Sequence, residues 1–380
     1  MSHFIALTIE DVRRETADCV SIAFAIPPGL KQLFAYRQGQ NVTVRVVLGG
    51  AEVRRSYSIC SSPLDDELRI AVKQVPGGLF STYVNEQVQP GQVLEVLPPS
   101  GKFYTELKPG NRNRYLAFVA GSGITPVLSL IKTTLAVEPA SEFTLVYGNR
   151  YRPDIIFREE LEALKNRYMS RLSLHHILSR EQTDIPLQQG RIDALKCEAL
   201  CARLIDLGSI DEIFICGPGE MIFSIKEWLE LRGVERKKIH FELFHPVQKV
   251  GEAAGQGAGD GPGAGPDSGR GVVPGSGPEA DKGPEEKTSE VTVRLDGVNH
   301  VFELAYEGQS ILDAALYEGA DLPFACKGGV CCTCRARLTE GKVEMDLNYA
   351  LEADELAAGF VLTCQSHPRS KKVVIDFDSK

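Results

Sequence analysis

Cys326-Lys327-Gly328-Gly329-Val330-Cys331-Cys332-Thr333-Cys334 places four thiols within nine residues, and Cys364 follows after 29 more. Half of the ten cysteines thus crowd into the last quarter of a 380-residue chain, whereas Cys19, Cys60, Cys197, Cys201 and Cys216 are scattered and read as reduced core thiols. Ten cysteines would suit a disulfide scaffold in a short secreted protein. This chain is long, and residues 1–8 lack the basic and apolar regions of an export signal, so the spacing must decide.

Cys326-x4-Cys331-x2-Cys334 with a distant Cys364 supplies four thiolates, two for each iron of a [2Fe-2S] rhomb, at the plant-type ferredoxin spacing. Gly328 and Gly329 are expected to let the loop backbone wrap closely and aim N–H groups at the sulfides. A structural zinc site would pair two Cys-x2-Cys knuckles, and Cys364 offers no second knuckle. Cys332 reads as a packed spectator. On the flank, Val291-Thr292-Val293-Arg294-Leu295 and His300-Val301-Phe302-Glu303-Leu304 alternate like a hairpin, and residues 310–318 have a helical pattern. Residues 289–380 resemble the α+β, β-grasp plant-type ferredoxins over their full length.

Upstream, residues 249–288 are rich in Gly, Pro and Ala and hold almost nothing to bury, which predicts a flexible tether spanning about 35 Å. Before it, residues 3–105 alternate in short runs such as 42–47 and 68–72, separated by Gly-Gly or Pro-Gly, as in a small antiparallel β-barrel. From Tyr115 strands and helices alternate: strand 116–120, a helical face at Ile124, Val127, Leu128, Ile131 and Leu135, strand 143–147, and finally strand 212–216, helix 221–231 and strand 239–244. That order implies an α/β layer with a covered parallel sheet. The expected organisation is multidomain: residues 1–108, 109–248, a linker at 249–288, and 289–380.

Arg55-Ser56-Tyr57-Ser58 matches the Arg-x-Tyr-Ser pattern of the ferredoxin-NADP reductase family, which the first 245 residues resemble from end to end. The chemistry suits a flavin: a guanidinium for the pyrophosphate, an aromatic ring against the isoalloxazine, and a hydroxyl to reach N5. Gly77-Gly78-Leu79-Phe80-Ser81-Thr82 adds a glycine turn before a helix start, an anion site in which Gly78, Ser81 and Thr82 are the candidates. Val72, at the end of the strand before it, is counted with them. Pro99-Ser100-Gly101-Lys102-Phe103 resembles the family's closing segment of the barrel. The resemblance implies non-covalent FAD and an aromatic cover, here Phe244.

Gly121-Ser122-Gly123-Ile124-Thr125-Pro126 lies between a strand and a helix, where N–H groups and the helix end can hold a pyrophosphate. Gly121, Gly123, Thr125 and Pro126 are the candidates. Cys216-Gly217-Pro218-Gly219-Glu220-Met221 matches the family's Cys-Gly-Pro-x-x-Met segment, so Cys216, Gly217, Pro218 and Met221 are expected beside the nicotinamide. Arg150 after the second strand, with Ser179 and Arg180 after the third, suits a 2'-phosphate and favours NADPH over NADH.

A nicotinamide gives up two electrons as hydride and a [2Fe-2S] cluster accepts one, so a flavin must stand between them. Ser58 and Cys216 are the expected catalytic pair. The order of modules resembles that of the reductase subunits of phenylacetyl-CoA epoxidase complexes, which implies a di-iron oxygenase as acceptor. A reductase for another oxygenase, hydroxylase or desaturase would keep the same cofactors, and a non-catalytic redox sensor would need no nicotinamide site. Residues 1–248 carry 29 basic and 29 acidic side chains, and residues 289–380 carry 9 and 15. A balanced front and an acidic tail argue against nucleic acid and suit a basic docking partner. No run of about 18 apolar residues exists, so no membrane partner and a cytoplasmic location are expected.

Overall fold

The computed structural model describes residues 3–244 and 287–379. The expected linker at 249–288 lies outside the described residues apart from its last two, and Thr288 already opens a strand.

The first module contains β1 (Ile5–Thr16), β2 (Cys19–Ala25), β3 (Asn41–Leu48), β4 (Ala51–Ser58), β5 (Leu68–Lys73), α1 (Leu79–Glu86) and β6 (Val93–Val96). The strands join antiparallel in the order β4-β3-β6-β1-β2-β5. A bridge between Ile59 and Ile70 ties the end of β4 to β5, so the sheet curls into a barrel. Val20, Ile22, Val42, Val44, Ile70 and Val72 fill its interior. Alternation along β3 sends Thr43 outward, yet Thr43 is only 2% exposed because the third module covers it.

The second module runs β7 (Arg114–Ala120), α2 (Ile124–Val137), β8 (Glu142–Asn149), α3 (Arg158–Arg167), β9 (Leu172–Leu178), α4 (Ala194–Cys201), β10 (Glu212–Cys216), α5 (Gly219–Leu231) and β11 (Ile239–Glu242). Its sheet, β11-β10-β7-β8-β9, is parallel throughout. Tyr115, Ala117 and Val119 pack with residues of α2, while Leu116 and Phe118 pack with residues of α4 and α5. Burial on both faces explains the unbroken apolar runs. The last strand stops at Glu242, two residues short of the expected end. Its partner β10 ends at Cys216, opposite Glu242, and the following Gly217-Pro218 offers no further ladder.

The third module holds β12 (Thr288–Leu295), β13 (Val298–Ala305), α6 (Ile311–Tyr317), β14 (Arg335–Glu340), β15 (Val343–Met345), α7 (Ala353–Ala357), β16 (Phe360–Leu362), β17 (Ser366–Pro368) and β18 (Lys372–Asp376). The main sheet is β13-β12-β18-β14-β16, with β12 and β18 parallel and β15 paired to β17. The Ser310 hydroxyl accepts from Asp313 N at 3.2 Å and caps α6. Ile311, Leu312 and Ala315 of that helix close the core over Val291 and Val293.

Candidate functional site

Strand ends from two modules converge on one spot. Ser58 closes β4, opposite Asn41 on β3, and its Oγ donates to Glu242 Oε2 at 2.7 Å. Glu242 closes β11 beside Cys216, the last residue of β10. Burial pushes the Glu242 carboxyl up to about 7, against the opposing pull of hydrogen bonds from Ser58 and Asn41. Cys216 is fully buried, and that burial first, then the nearby Glu242, drives its thiol well above the ordinary range. Asn41 Oδ1 is buried without a hydrogen-bond partner. Gly101 takes φ +107°, and a Cβ there would stand 2.7 Å from Asn41 Nδ2. Sequence reasoning found Ser58 and Cys216 and missed Glu242. Its signal was a lone carboxylate inside the apolar run Ile239-His240-Phe241-Glu242-Leu243-Phe244.

Around this spot the other barrel candidates gather. Tyr57 stacks on Phe80 of α1, with centroids 5.4 Å apart, which joins the Arg-x-Tyr-Ser strand to the glycine turn. Arg55 is exposed, with its guanidinium on the carbonyl of Arg54 and no ion pair among the described residues. Gly77 takes φ +73°, and Gly78 precedes α1 as its N-cap. Thr82 stays partly accessible in the first turn. Ser81 Oγ is occupied within the turn, accepting from Val75 N at 3.1 Å and donating to the carbonyl of Gly78 at 3.2 Å. Val72 is buried in the barrel interior and its carbonyl accepts from Asn85 Nδ2, so it stands behind the surface.

The nicotinamide candidates flank the same strand ends. A short 3-10 turn, Gly121–Gly123, leads into α2. A Cβ on Gly123 would meet the carbonyl oxygen of Cys216 at 2.3 Å, and one on Gly217 would meet Met221 Cε at 2.6 Å. Both glycines therefore let two loops touch, leaving a cradle of backbone. Thr125 is buried and donates to the carbonyl of Ser122 at 3.0 Å; Pro126 is buried beside it. Pro218 caps α5, and Met221 is nearly buried in its first turn. Phe244 packs on the core that includes Cys216 and Phe103. Arg150, Ser179 and Arg180 are exposed at neighbouring strand ends, joined where Arg180 N donates to the carbonyl of Arg150 at 2.9 Å. Neither arginine forms an ion pair among the described residues. The end of β8, where a dehydrogenase places its ribose-binding acid, carries Asn149.

In the third module the thiols pair two and two. Cys326 lies against Cys331, and Cys334 against Cys364. Two pairs fit two irons better than one zinc. The Cys331 thiol, then N–H groups of Gly328, Val330 and Cys331, pull the Cys326 thiol down in spite of its burial. Of the two glycines expected to permit the wrap, only Gly329 has a left-handed backbone, and a Cβ there would meet the Leu347 carbonyl at 2.8 Å. Lys327 takes the other positive φ, and Gly328 instead donates its N–H to Cys326 Sγ at 3.3 Å. Cys332 points away to the carbonyl of Ala350 at 3.4 Å, as a spectator would.

A barrel with a glycine turn opening a helix, a parallel sheet with a glycine cradle, and a paired set of four thiols define an iron-sulfur flavoprotein reductase driven by a nicotinamide nucleotide. Three domain families match in that order: oxidoreductase FAD-binding domain over residues 6–104, oxidoreductase NAD-binding domain over 118–227, and 2Fe-2S iron-sulfur cluster binding domain over 293–369. The chain belongs to the family of reductase components of oxygenase systems that includes a subunit of the 1,2-phenylacetyl-CoA epoxidase of Escherichia coli (strain K12), to which it is 43% identical over 100% of this chain and 99% of that one. The ferredoxin reductase component of 3-ketosteroid-9-alpha-monooxygenase from Rhodococcus rhodochrous is 34% identical over 99% of this chain and 97% of its own length. Phthalate dioxygenase reductase shares the fold across 98% of both chains, at TM-score 0.54 and 21% identity. The protein is an oxidoreductase carrying electrons through FAD, nicotinamide and [2Fe-2S] sites. No helix among the described residues is long and apolar enough to cross a membrane.

Proposed function

We infer that this chain takes electrons from NADPH and passes them singly to the di-iron oxygenase component of a phenylacetyl-CoA epoxidase in the cytoplasm. The 43% identity to the Escherichia coli epoxidase subunit along the whole chain carries that reading. Two exposed guanidiniums with Asn149 where an acid would repel phosphate support NADPH as donor.

The flavin, when bound, supplies the step from two-electron to one-electron chemistry. Arg55, Gly78, Thr82 and the backbone N–H of Ser81 are assigned to its phosphates and Tyr57 to its ring. Gly123 and Gly217 keep side chains out of the path of the nicotinamide, and Cys216 and Met221 wall that path. Ser58 holds a hydroxyl at the junction, and Glu242, raised to about 7, can hold or release a proton there near neutral pH. Cys326 and Cys331 would hold one iron, Cys334 and Cys364 the other.

Reconstitution with the oxygenase component of a phenylacetyl-CoA epoxidase tests the reading, with oxidation of phenylacetyl-CoA followed against NADPH consumption. No substrate oxidation, while cytochrome c is still reduced, would redirect the electrons to another oxygenase. The full-length likeness to a ketosteroid monooxygenase component supports that second reading.

A further inference from the structure

The third module sits on the barrel through a charged and hydroxyl-lined face. Arg54, 6% exposed, spans it: its guanidinium donates to Asp321 Oδ1 at 3.0 Å and to the carbonyl of Leu322 at 3.0 Å, and lies 4.2 Å from the ring centroid of Phe324. Lys102 Nζ meets the buried Glu355 at 2.8 Å. Also in this contact, Thr43 Oγ1 lies 3.3 Å from Thr333 Oγ1 in the thiol loop and 3.0 Å from Ser56 Oγ in the flavin strand. Val330 and Tyr349 pack on the second module, with the Tyr349 ring 5.8 Å from that of Phe223. The contact therefore covers Val330 and Thr333, one of the places where the loop holding Cys326, Cys331 and Cys334 reaches the surface. Electron transfer weakens steeply with distance, so a donor and an acceptor both need close approach to that loop.

We propose that the face bearing Asp321, Phe324, Thr333 and Glu355 is an exchange surface, clamped by Arg54 and Lys102 while the cluster is loaded and then offered to an acceptor protein with cations in the same two places. The inference rests on the electron-transfer reading above. On loading, the reduced flavin loses one electron and one ferric iron becomes ferrous; on delivery that iron returns to ferric and the acceptor gains the electron. The two contacts exclude one another because they use the same side chains.

The test uses the full chain and cytochrome c, a basic one-electron acceptor. Carbodiimide should join Lys102 to Glu355, a cross-link found by peptide mass spectrometry. Asp321→Lys should lower the yield of that cross-link and slow cluster bleaching after flavin reduction by about tenfold, as facing like charges demand, without altering flavin reduction by NADPH. Adding Arg54→Glu should restore both the cross-link and the bleaching. It should not restore the KM for cytochrome c, which Asp321→Lys raises in the single and double variants alike. A missing Lys102–Glu355 cross-link in the unaltered protein would overturn the dock. An unchanged KM in Asp321→Lys would overturn the shared face and point to the Lys327 side of the loop. Failure of the underlying reading would show differently: the cross-link would form, but NADPH would bleach no cluster in the unaltered protein.

Discussion

Replacing Glu242 by Gln isolates the cost of ionising a carboxyl among buried groups. Below about pH 4.5 the folded and unfolded chains both hold the proton, and the carboxyl is neutral in each. Between the ordinary value of 4.5 and the raised value of about 7, only the unfolded chain releases it, so stability falls as pH rises. Above that window the loss is complete, at about 3 kcal/mol. Gln keeps an acceptor for Ser58 and has no charge to lose. Glu242→Gln should therefore match the parent at about pH 4 and exceed it by about 3 kcal/mol at about pH 8. The single tryptophan, Trp228 on α5, reports on the module that contains Glu242, so urea unfolding followed by its fluorescence gives the comparison at each pH. Flavin should be held at one saturating concentration throughout, since a bound ligand adds stability of its own. A difference that does not change with pH, or a Gln variant less stable than the parent at the alkaline end, would refute the claim that Glu242 titrates near neutrality.

Cys326→Ser and Cys334→Ser should each strip the iron and its visible and paramagnetic signals while ferricyanide reduction by NADPH survives; Cys332→Ser should keep the iron, by metal analysis. Gly123→Ala drives a methyl to 2.3 Å from the Cys216 carbonyl and should cost about 1–3 kcal/mol by thermal melting, together with a raised KM for nucleotide. Arg150→Ala and Arg180→Ala should each raise the KM for NADPH by about tenfold or more and leave that for NADH nearly unchanged, as loss of a charge-assisted hydrogen bond predicts.

What could be read from the sequence was whatever depends on local spacing. The period-two runs at 42–47 and 68–72 became β3 and β5, the apolar face from Ile124 to Leu135 became α2, and strand 212–216 became β10 with the same ends. The thiol set stood out because Cys326, Cys331 and Cys334 share one short loop; that Cys364 comes to lie beside Cys334 is the part that spacing does not give. Glu242 was not, because its meaning comes from Ser58, 184 residues away, and from Cys216 on the adjacent strand. Thr43 gave no signal beyond that of an ordinary polar residue in a barrel strand, because its cover comes from Thr333, 290 residues away. Lys327, and not Gly328, takes the left-handed backbone beside Gly329, a choice that spacing alone does not make.

The chemistry of the contact between the first and third modules sets how it should respond to salt. Asp321 and Lys102 are each more than a third exposed, at 69% and 41% of their side chains, while their partners Arg54 and Glu355 are buried, so solvent screens each pair from one side. Ion pairs of that kind contribute about 0–1 kcal/mol each. Few apolar side chains reinforce them, and an interface of this texture is one that opens. Because both modules belong to one chain, weak contacts are enough to populate the docked arrangement. Ionic strength acts on these solvent-facing pairs and leaves the part-buried hydrogen bond from Ser58 to Glu242 nearly untouched. Raising salt should therefore slow the bleaching of the cluster several-fold, as about 1 kcal/mol predicts, while the preceding reduction of the flavin keeps its rate. Stopped-flow traces at two salt concentrations separate the two steps by wavelength. Equal slowing of both would place the salt-sensitive contact at nucleotide binding, the step proposed for Arg150 and Arg180, and would remove the electrostatic argument for the dock.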